Sequence, residues 1–201
     1  MRRPDGFPWL TLVIAATACS VSTSSTTSAW LVYDRASLAA GQFWRAWTAH
    51  VVHFGAGHLL WNLAVFVPVG VWLERLWSDW TRWFYFAGPP GISAGLFLLD
   101  PALGRYGGLS GLAMGMLVLL AALQLSRRPR EPAWFWLGVL VLVAGKIGWE
   151  IVTGHTLLAG FLEVQTVPLA HGAGVFCGAL FAGVAIRRRN RAGPQGASGA
   201  G

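Results

Sequence analysis

The chain has 201 residues, of which 55% are hydrophobic and only 11% are charged. Long uncharged stretches exclude an ordinary soluble globular domain and indicate a protein that folds in the bilayer. The net charge of +7 does not indicate a nucleic-acid partner, because most basic residues follow every second apolar stretch or precede the first. By the positive-inside rule, these residues predict that both termini are cytoplasmic. They are Arg2, Arg3, Arg75, Arg82, Arg127, Arg128, Arg130, Arg187, Arg188, Arg189 and Arg191.

Six apolar segments approach the roughly 20 residues that a helix needs to cross the hydrocarbon core. They cover about 9–31, 57–73, 83–99, 109–126, 133–149 and 164–186. The sequence therefore predicts an all-α polytopic protein, with a six-helix membrane domain over residues 9–186 after a cytoplasmic N-terminus at 1–8. Residues 187–201 are rich in Arg, Gly, Ala and Ser without a pattern, which predicts a disordered basic cytoplasmic tail.

The first segment, residues 9–31, allows two interpretations. An arginine pair, an apolar stretch and an Ala-Thr-Ala sequence before Cys19 resemble a secretory or lipoprotein signal. Alternatively, the segment is an uncleaved helix in which the Ser and Thr hydroxyls of residues 20–28 bond back to their own backbone carbonyls. We favour the helix because the uncharged stretch continues to Val32.

Two external loops follow from this topology. Residues 33–56 are rich in aromatic residues broken by charged ones, a composition typical of the membrane–water interface. Residues 151–163 combine glycines with apolar residues and predict either a mobile cap that dips into the membrane or an ordinary connection. His50 and His155 are interpreted as loop or interface residues without a catalytic role.

Four polar residues on three of these segments lie at one depth. At about 1.5 Å per helical residue, Ser110, His171 and His58 each lie about 24–25 Å from the basic residues that end their segments. In a core about 30 Å thick, this level is a few ångströms below the outer surface. Asn62 lies one helical turn from His58, on the same face. The sequence therefore predicts that these four polar side chains share one layer.

Small residues offer a way to bring the fourth and sixth segments together. Small residues at every fourth position form a stripe along one face of a helix. Such stripes allow membrane helices to approach until their backbones nearly touch. If the two stripes face each other, Ser110 and His171 come within hydrogen-bonding distance. The alternative is that the stripes pack elsewhere, because glycine is common in membrane helices. The small residues recur every four positions: Gly107, Gly111 and Gly115, and Ala170, Gly174, Gly178 and Ala182.

A serine beside a histidine at this depth indicates nucleophilic catalysis. Histidine can take the proton of a serine hydroxyl near neutral pH, and nearby donors stabilise the oxyanion that forms. His58, Asn62 and the backbone N–H of Ser110 are candidate donors. We expect a serine–histidine dyad without an acid, because Asp100 and Glu150 lie near external helix ends and Glu74 lies at the cytoplasmic edge. Lys146 and Glu150 have i, i+4 spacing and are expected to form a local pair.

At this point four motifs, in order along residues 44–178, resemble the rhomboid intramembrane serine proteases. The resemblance implies that Ser110 is the nucleophile and His171 the base. It also implies that His58 and Asn62 stabilise the oxyanion, while His53 supports the loop or site. The motifs are Trp44-Arg45, His53-x4-His58-x3-Asn62, Gly108-Leu109-Ser110-Gly111 and Ala170-His171-Gly172-Ala173-Gly174.

The resemblance also implies supporting residues, and the chain departs from it at one position. Many rhomboids carry an aromatic residue one turn after the serine, packed on the catalytic histidine, whereas this chain has Met114 there. A thioether can also contact an imidazole, so we expect altered packing without loss of activity. The supporting residues are Trp44 and Arg45, which would fix the first external loop, and the motif glycines Gly108, Gly111 and Gly174.

The implied substrate is the transmembrane helix of another protein, cut near its outer end after local unwinding. The compact six-segment form is similar to the rhombosortase branch, which processes C-terminal Gly-Gly-type sorting tails of exported proteins in bacterial inner membranes. The alternatives are a general housekeeping rhomboid, a non-catalytic rhomboid-like binder of membrane helices, and a small transporter using Lys146 and Glu150. No metal or other cofactor is expected, since the sequence lacks His-Glu-x-x-His. The expected surroundings are membrane lipids, and the sequence predicts no oligomeric state.

Overall fold

The computed structural model describes residues 6–127, 131–154 and 167–191. These ranges are mostly helical and form an all-α membrane-type bundle, as predicted. The elements in chain order are α1 Trp9–Val21, α2 Ser25–Leu31, β1 Tyr33–Asp34, α3 Arg35–Ala39, α4 Arg45–Thr48, a 3-10 helix Ala49–Val51, α5 Ala56–Leu99, β2 Arg105–Tyr106, α6 Ser110–Leu125, α7 Ala133–Thr153 and α8 Pro168–Arg191.

Three helices in the described ranges, α5, α7 and α8, are long and apolar enough to cross a membrane by length and composition. Helices α1 and α6 are apolar but shorter, with 13 and 16 residues. Helix α5 has 44 residues and loses helical geometry at Trp77 (φ −142°, ψ 53°), so it has two arms, residues 56–76 and 78–99. Each arm contains one predicted segment, whereas the count of six spans and the side of each terminus stay predictions.

The predicted first helix, residues 9–31, is two helices instead of one. The hydroxyls of Ser22 and Thr23 bond back to backbone carbonyls at 2.8 and 2.7 Å, as predicted for this segment. These bonds lie in the turn where α1 ends, and Ser24 then caps α2 by accepting a backbone N–H at 3.2 Å. Hydroxyls that compete for backbone partners therefore interrupt the helix instead of extending it.

A buried carboxylate fixes α1 to α5. Glu74 is only 5% exposed and accepts hydrogen bonds from the backbone N–H groups of Leu10 (3.0 Å) and Thr11 (2.9 Å), and from the Thr11 hydroxyl (2.8 Å). Amides of the first helical turn have no partner within the helix, and a negative charge is favourable there. The N-terminal end of α1 therefore lies beside the middle of α5.

Helix α6 lies at the centre of the bundle, where twelve of its 16 residues are buried. It packs against α5, α7 and α8. Helix α7 is the opposite case, because Trp136, Val143 and Glu150 are the buried residues among its 21. The first residue of α6, Ser110, therefore lies at one end of the packed core.

A short antiparallel pair of strands lies next to this end of α6. Tyr33 of β1 pairs with Tyr106 of β2, and Asp34 pairs with Arg105. The amino-acid sequence contains no strand signal here, since each strand has only two residues. The ladder forms because backbone groups of loops that meet away from water need partners. It joins the loop of residues 33–56 to the segment that leads into Ser110.

Two predicted regions lie partly outside the described residues. Helix α8 continues to Arg191, so residues 187–191 of the predicted tail are helical, whereas 192–201 are outside the description. Residues 155–166, with His155 and most of the predicted cap, are also outside it.

Candidate active site

Helices α6 and α8 pack with their backbones in contact. A methyl group at Gly111 would lie 2.7 Å from the carbonyl oxygen of Ala170, and one at Gly115 would overlap the carbonyl of Gly174. On α8, a methyl group at Gly178 would likewise overlap the carbonyl of Gly115. The prediction that the two stripes face each other is therefore confirmed for these residues, whereas Gly107 lies against Val52 instead of α8.

Ser110 and His171 are the immediate neighbours of this contact. Ser110 precedes Gly111 at the first position of α6, and His171 follows Ala170 and is 2% exposed. Within the described residues, no hydrogen bond joins the serine hydroxyl to the imidazole; the hydroxyl lies beside that of Tyr106. The contact of α6 with α8 therefore places Ser110 and His171 each one residue from the touching backbones, without a hydrogen bond between their described side chains.

Gly108 explains how His58 and Asn62 reach the start of α6. Its φ of +132° is a conformation that residues with a side chain rarely adopt. A methyl group there would lie 2.9 Å from Nε2 of His58 and 3.3 Å from Nδ2 of Asn62. Glycine therefore allows both side chains of α5 to lie against the loop just before Ser110.

Asn62 and His58 present nitrogen atoms without partners. Asn62 is 8% exposed, and its Nδ2 is buried with no hydrogen-bond partner in the part of the chain that the structure describes. The same holds for Nδ1 of His58. A buried donor that stays unpaired costs about 1–3 kcal/mol, so it fits a partner that arrives only with substrate. The arrangement can stabilise a negative charge formed near Ser110.

His53 connects the loop of residues 33–56 to the residue before Ser110. Its Nδ1 lies 3.3 Å from the carbonyl oxygen of Val51 and donates to it, while its Nε2 accepts the N–H of Leu109 at 3.4 Å. Burial, with a smaller contribution from the charge of His58, lowers the pKa of His53 to about 3. The ring is therefore neutral near pH 7, as these two hydrogen bonds require.

Trp44 and Arg45 hold the same loop against the end of α2. Arg45 is 7% exposed, and its Nη1 donates to the carbonyl oxygens of Ala29 (3.0 Å) and Val32 (2.8 Å). The ring of Trp44 stacks on Trp30 with 5.7 Å between centroids. A guanidinium is suited to such a site because it stays charged and donates in several directions.

Tyr106 is a residue of this site to which the sequence analysis gave no role. It is 3% exposed, and its hydroxyl donates to the carbonyl oxygen of Gly108 at 3.1 Å, beside the Ser110 hydroxyl and the Gly111 amide. Burial raises the pKa of Tyr106, so the phenol keeps its proton. The only sequence signal was an aromatic residue directly before two glycines, which does not show where the ring points.

His50 packs behind Tyr106, in agreement with its interpretation as a loop residue. It is 2% exposed, its Nε2 lies 3.0 Å from the carbonyl oxygen of Pro89, and its ring meets that of Tyr106 edge to face at 5.7 Å. Burial lowers the pKa of His50 to about 4, so the ring is neutral near pH 7.

The expectation that no buried carboxylate lies at the level of Ser110 and His171 is wrong. Glu150 is 1% exposed, and its Oε2 lies 2.6 Å from Nδ1 of His171. Lys146 pairs with Glu150 as the i, i+4 spacing predicts, and its Nζ lies 3.3 Å from the same Nδ1. The sequence placed Glu150 near the end of α7, but position along one helix does not show which neighbouring helix a side chain reaches.

Met114 packs between α6 and α7. It is 7% exposed and belongs to a buried cluster with Val118 and Val143. A flexible thioether fills such an apolar gap. The effect of this residue on activity stays a prediction.

A cavity of about 580 Å³ borders the site on the side of α1 and α2. Its lining includes Ser22, Ser28, His53, Phe54 and Arg105. The cavity therefore offers both hydroxyl groups and a basic side chain next to His53.

The chemistry available at this site is nucleophilic and acid–base. A hydroxyl at a helix start, a nearby imidazole held through Nδ1, and unpaired nitrogen donors are the parts that acyl transfer needs. Within the described ranges, no group of three or more His, Cys, Asp or Glu side chains is placed to hold a metal ion.

Comparison with known protein families identifies the family of the chain. The family model described as the Rhomboid domain matches residues 40–188, which is more than half of the chain. The matched range includes Ser110, His171, His58 and Asn62. No curated protein matches the chain.

Proposed function

Because the chain belongs to the rhomboid family, we propose that it is an intramembrane serine protease in which Ser110 is the nucleophile and His171 the base. The observation that carries this proposal is the backbone contact of α6 with α8, where Gly111 lies against Ala170. The two reacting side chains belong to the residues next to that contact, so small residues hold a serine and a histidine close together.

In the first step, the hydroxyl of Ser110 gives its proton to Nε2 of His171 while its oxygen bonds to the scissile carbonyl carbon. The carbonyl oxygen becomes an oxyanion, which Asn62, His58 and the N–H of Ser110 stabilise. The imidazolium then gives its proton to the leaving nitrogen as the C–N bond breaks, which leaves an acyl ester. Water, deprotonated by the same imidazole, attacks the ester and restores the serine hydroxyl.

The proposed substrates are transmembrane segments of other membrane proteins, cut near the outer face. An intact helix engages its own carbonyls, so the segment must unwind locally before a carbonyl reaches Ser110. The cavity of about 580 Å³ is lined by His53 but not by Ser110 or His171, so it offers room for an extended segment only next to the proposed catalytic residues.

The orientation proposed for the chain has both termini in the cytoplasm of a bacterial cell, across its inner membrane. Arg127 follows α6, and the last turn of α8 contains Arg188, Arg189 and Arg191. These charges lie at the ends of the two helices opposite to the proposed catalytic residues. Basic residues favour the cytoplasmic side, so the proposed active site lies towards the outer face.

Within the family, we assign the chain to the rhombosortase branch on the basis of its predicted compact six-segment form. Its substrates would then carry C-terminal Gly-Gly-type sorting tails. A housekeeping rhomboid that cuts other transmembrane segments has the same chemistry and is the alternative. Cleavage of a sorting-tail protein, but not of a matched protein in which Leu-Leu replaces Gly-Gly, supports the branch assignment; equal cleavage supports the alternative.

Labelling with a fluorophosphonate probe tests the protease proposal directly. The full chain is purified in detergent, and wild type is compared with Ser110→Ala and His171→Ala, each checked for folding by thermal unfolding. Labelling of wild type alone supports an activated Ser110. Equal labelling of Ser110→Ala contradicts the assignment of the nucleophile, and a folded but unlabelled wild type favours the non-catalytic binder of membrane helices.

A further inference from the structure

Two helices contribute three ionisable side chains to one buried cluster behind the proposed base. Glu150 and Lys146 lie on α7, and His171 lies on α8. Oε2 of Glu150 lies 2.6 Å from Nδ1 of His171, while the Lys146 ammonium pairs with Oε1 and lies 3.3 Å from Nδ1. The side chain of Glu150 is fully buried and that of His171 nearly so, whereas that of Lys146 is 30% exposed. Among the described residues, His58 also interacts electrostatically with the imidazole.

We propose that Glu150 is a positioning residue for His171, which makes the site a Ser–His–Glu triad. This inference rests on the proposed function of Ser110 and His171. Of the two α7 side chains, the carboxylate is the one whose distance to Nδ1 requires a shared proton, since two lone pairs would repel each other at 2.6 Å. Nδ1–H therefore donates to Oε2, and Nε2 keeps the lone pair that a general base needs.

The carboxylate has a second effect during turnover. When Nε2 takes the serine proton, the imidazole becomes positive, and a hydrogen-bonded carboxylate stabilises that charge. Lys146 acts in the opposite direction, because its ammonium repels a positive ring 3.3 Å away. Its attraction to Oε1 offsets the charge of the carboxylate before substrate binds. Glu150 therefore has two roles: it forms the ion pair with Lys146, and it orients His171.

A structural ion pair is the competing explanation of the same contacts. Helix α7 buries few residues, so Lys146 and Glu150 would then serve only to attach it to the bundle. The two explanations differ for Lys146→Met. This change removes the ion pair but leaves the Glu150–His171 hydrogen bond, whereas Glu150→Gln removes the charge that faces the imidazole.

The experiment measures fluorophosphonate labelling of the full-length chain in detergent, with the saturating rate constant separated from the half-saturating probe concentration. We expect Glu150→Gln to lower the saturating rate constant on the order of 10²–10⁴-fold, with little change in half-saturation. An amide N–H can donate to Nδ1 and move the ring proton to Nε2, where it blocks the base. Lys146→Met is expected to lose at most about tenfold, and Glu150→Asp to recover much of the rate.

A second measurement does not depend on activity. Nitrogen-15 NMR of histidine-labelled protein, with His171→Gln to identify the signal, reports which ring nitrogen carries the proton. We expect Nδ1–H in wild type and a shift towards Nε2–H in Glu150→Gln. A proton on Nε2 in wild type overturns the proposal. This result does not depend on the variants, so it applies even if Glu150→Gln fails to fold. Full labelling of a folded Glu150→Gln, or equal losses in Glu150→Gln and Lys146→Met, overturns it as well.

The two measurements also separate the two proposals. Suppose that wild type is not labelled, but NMR shows that the proton on Nδ1 depends on Glu150. The protease assignment then fails, whereas the role of Glu150 in positioning His171 is supported. If wild type is labelled and Glu150→Gln reacts equally fast, Ser110 and His171 form a dyad and only the positioning role of Glu150 fails.

Discussion

Gly174 of α8 faces the backbone carbonyl of Gly111 in α6 with no room between them for even a methyl group. Gly183, further along the same helix, has nothing within 4 Å of where its methyl group would lie. Gly174→Ala must therefore separate the two helices, whereas Gly183→Ala fills open space. Because overpacking of this kind costs about 1–3 kcal/mol, we expect Gly174→Ala to lower the thermal unfolding midpoint and to slow the labelling of Ser110.

Gly183→Ala is the matched control for this prediction. Alanine favours a helix over glycine by about 0.5–1 kcal/mol, so its midpoint should stay the same or rise slightly. Equal midpoints for the two variants would contradict the backbone contact between α6 and α8.

The contact between α6 and α8 was predictable from the spacing of small residues in the sequence. A spacing of four places small residues on one helix face, and two such stripes need each other to bury their exposed backbone. The positions of His58 and Asn62 followed from the same helical repeat. Depth and face are properties of a single helix, so a single sequence is enough to infer them.

Contacts that depend on relative rotation or on loops were not predictable in this way. Glu150 reaches His171 because α7 turns that face towards α8, and hydropathy contains no information on such a rotation. The β1–β2 ladder and the place of Tyr106 arise where two loops meet. The break at Ser22 interrupts a stretch that was predicted as one helix, whereas the bend at Trp77 lies between two segments that the sequence analysis had already separated.

Asn62 offers a test of the oxyanion assignment. Its Nδ2 has no partner among the described residues, so we expect Asn62→Ala to bind the fluorophosphonate probe almost unchanged but to react more slowly at saturation. Loss of one oxyanion donor costs about 2.7–4 kcal/mol of barrier, on the order of 10²–10³-fold in rate, and less if His58 compensates. Leu60→Ala, on the same helix at a side chain 68% exposed, is the control and should react like wild type. An unchanged rate for Asn62→Ala removes Asn62 from the oxyanion site.

Arg45 tests how firmly the first external loop is fixed. Arg45→Lys keeps the positive charge but cannot reproduce the bonds of Nη1 to two carbonyls together with that of Nε to Gln42 (2.8 Å). Because buried carbonyls lose their donor, we expect a loss of about 1–3 kcal/mol, measured by thermal unfolding. Arg82→Lys changes an exposed residue whose ion pair with Asp79 is 3.8 Å long, so it should change stability by less than about 0.5 kcal/mol. Similar losses in both variants would show that Arg45 does not anchor the loop.

The buried loop histidines predict that the protein loses stability in mild acid. The pKa of His50 is lowered to about 4 and that of His53 to about 3, mainly by burial, whereas an unfolded histidine has a pKa of about 6.5. The unfolded chain therefore binds more protons below pH 6.5, and stability that is fully present above this pH falls as the pH approaches 4. At pH 5, His50 alone should cost about 2 kcal/mol relative to pH 7.

Thermal unfolding at pH 7 and pH 5 measures this loss. His50→Gln, which keeps a donor for the carbonyl of Pro89, should reduce the difference between the two midpoints. Asp34→Asn is the control, because the hydrogen bonds to Ser37 lower the pKa of Asp34 and its titration lies below this pH range. A midpoint difference that is the same in His50→Gln as in wild type would show that a neutral, buried His50 is not the source of the acid sensitivity.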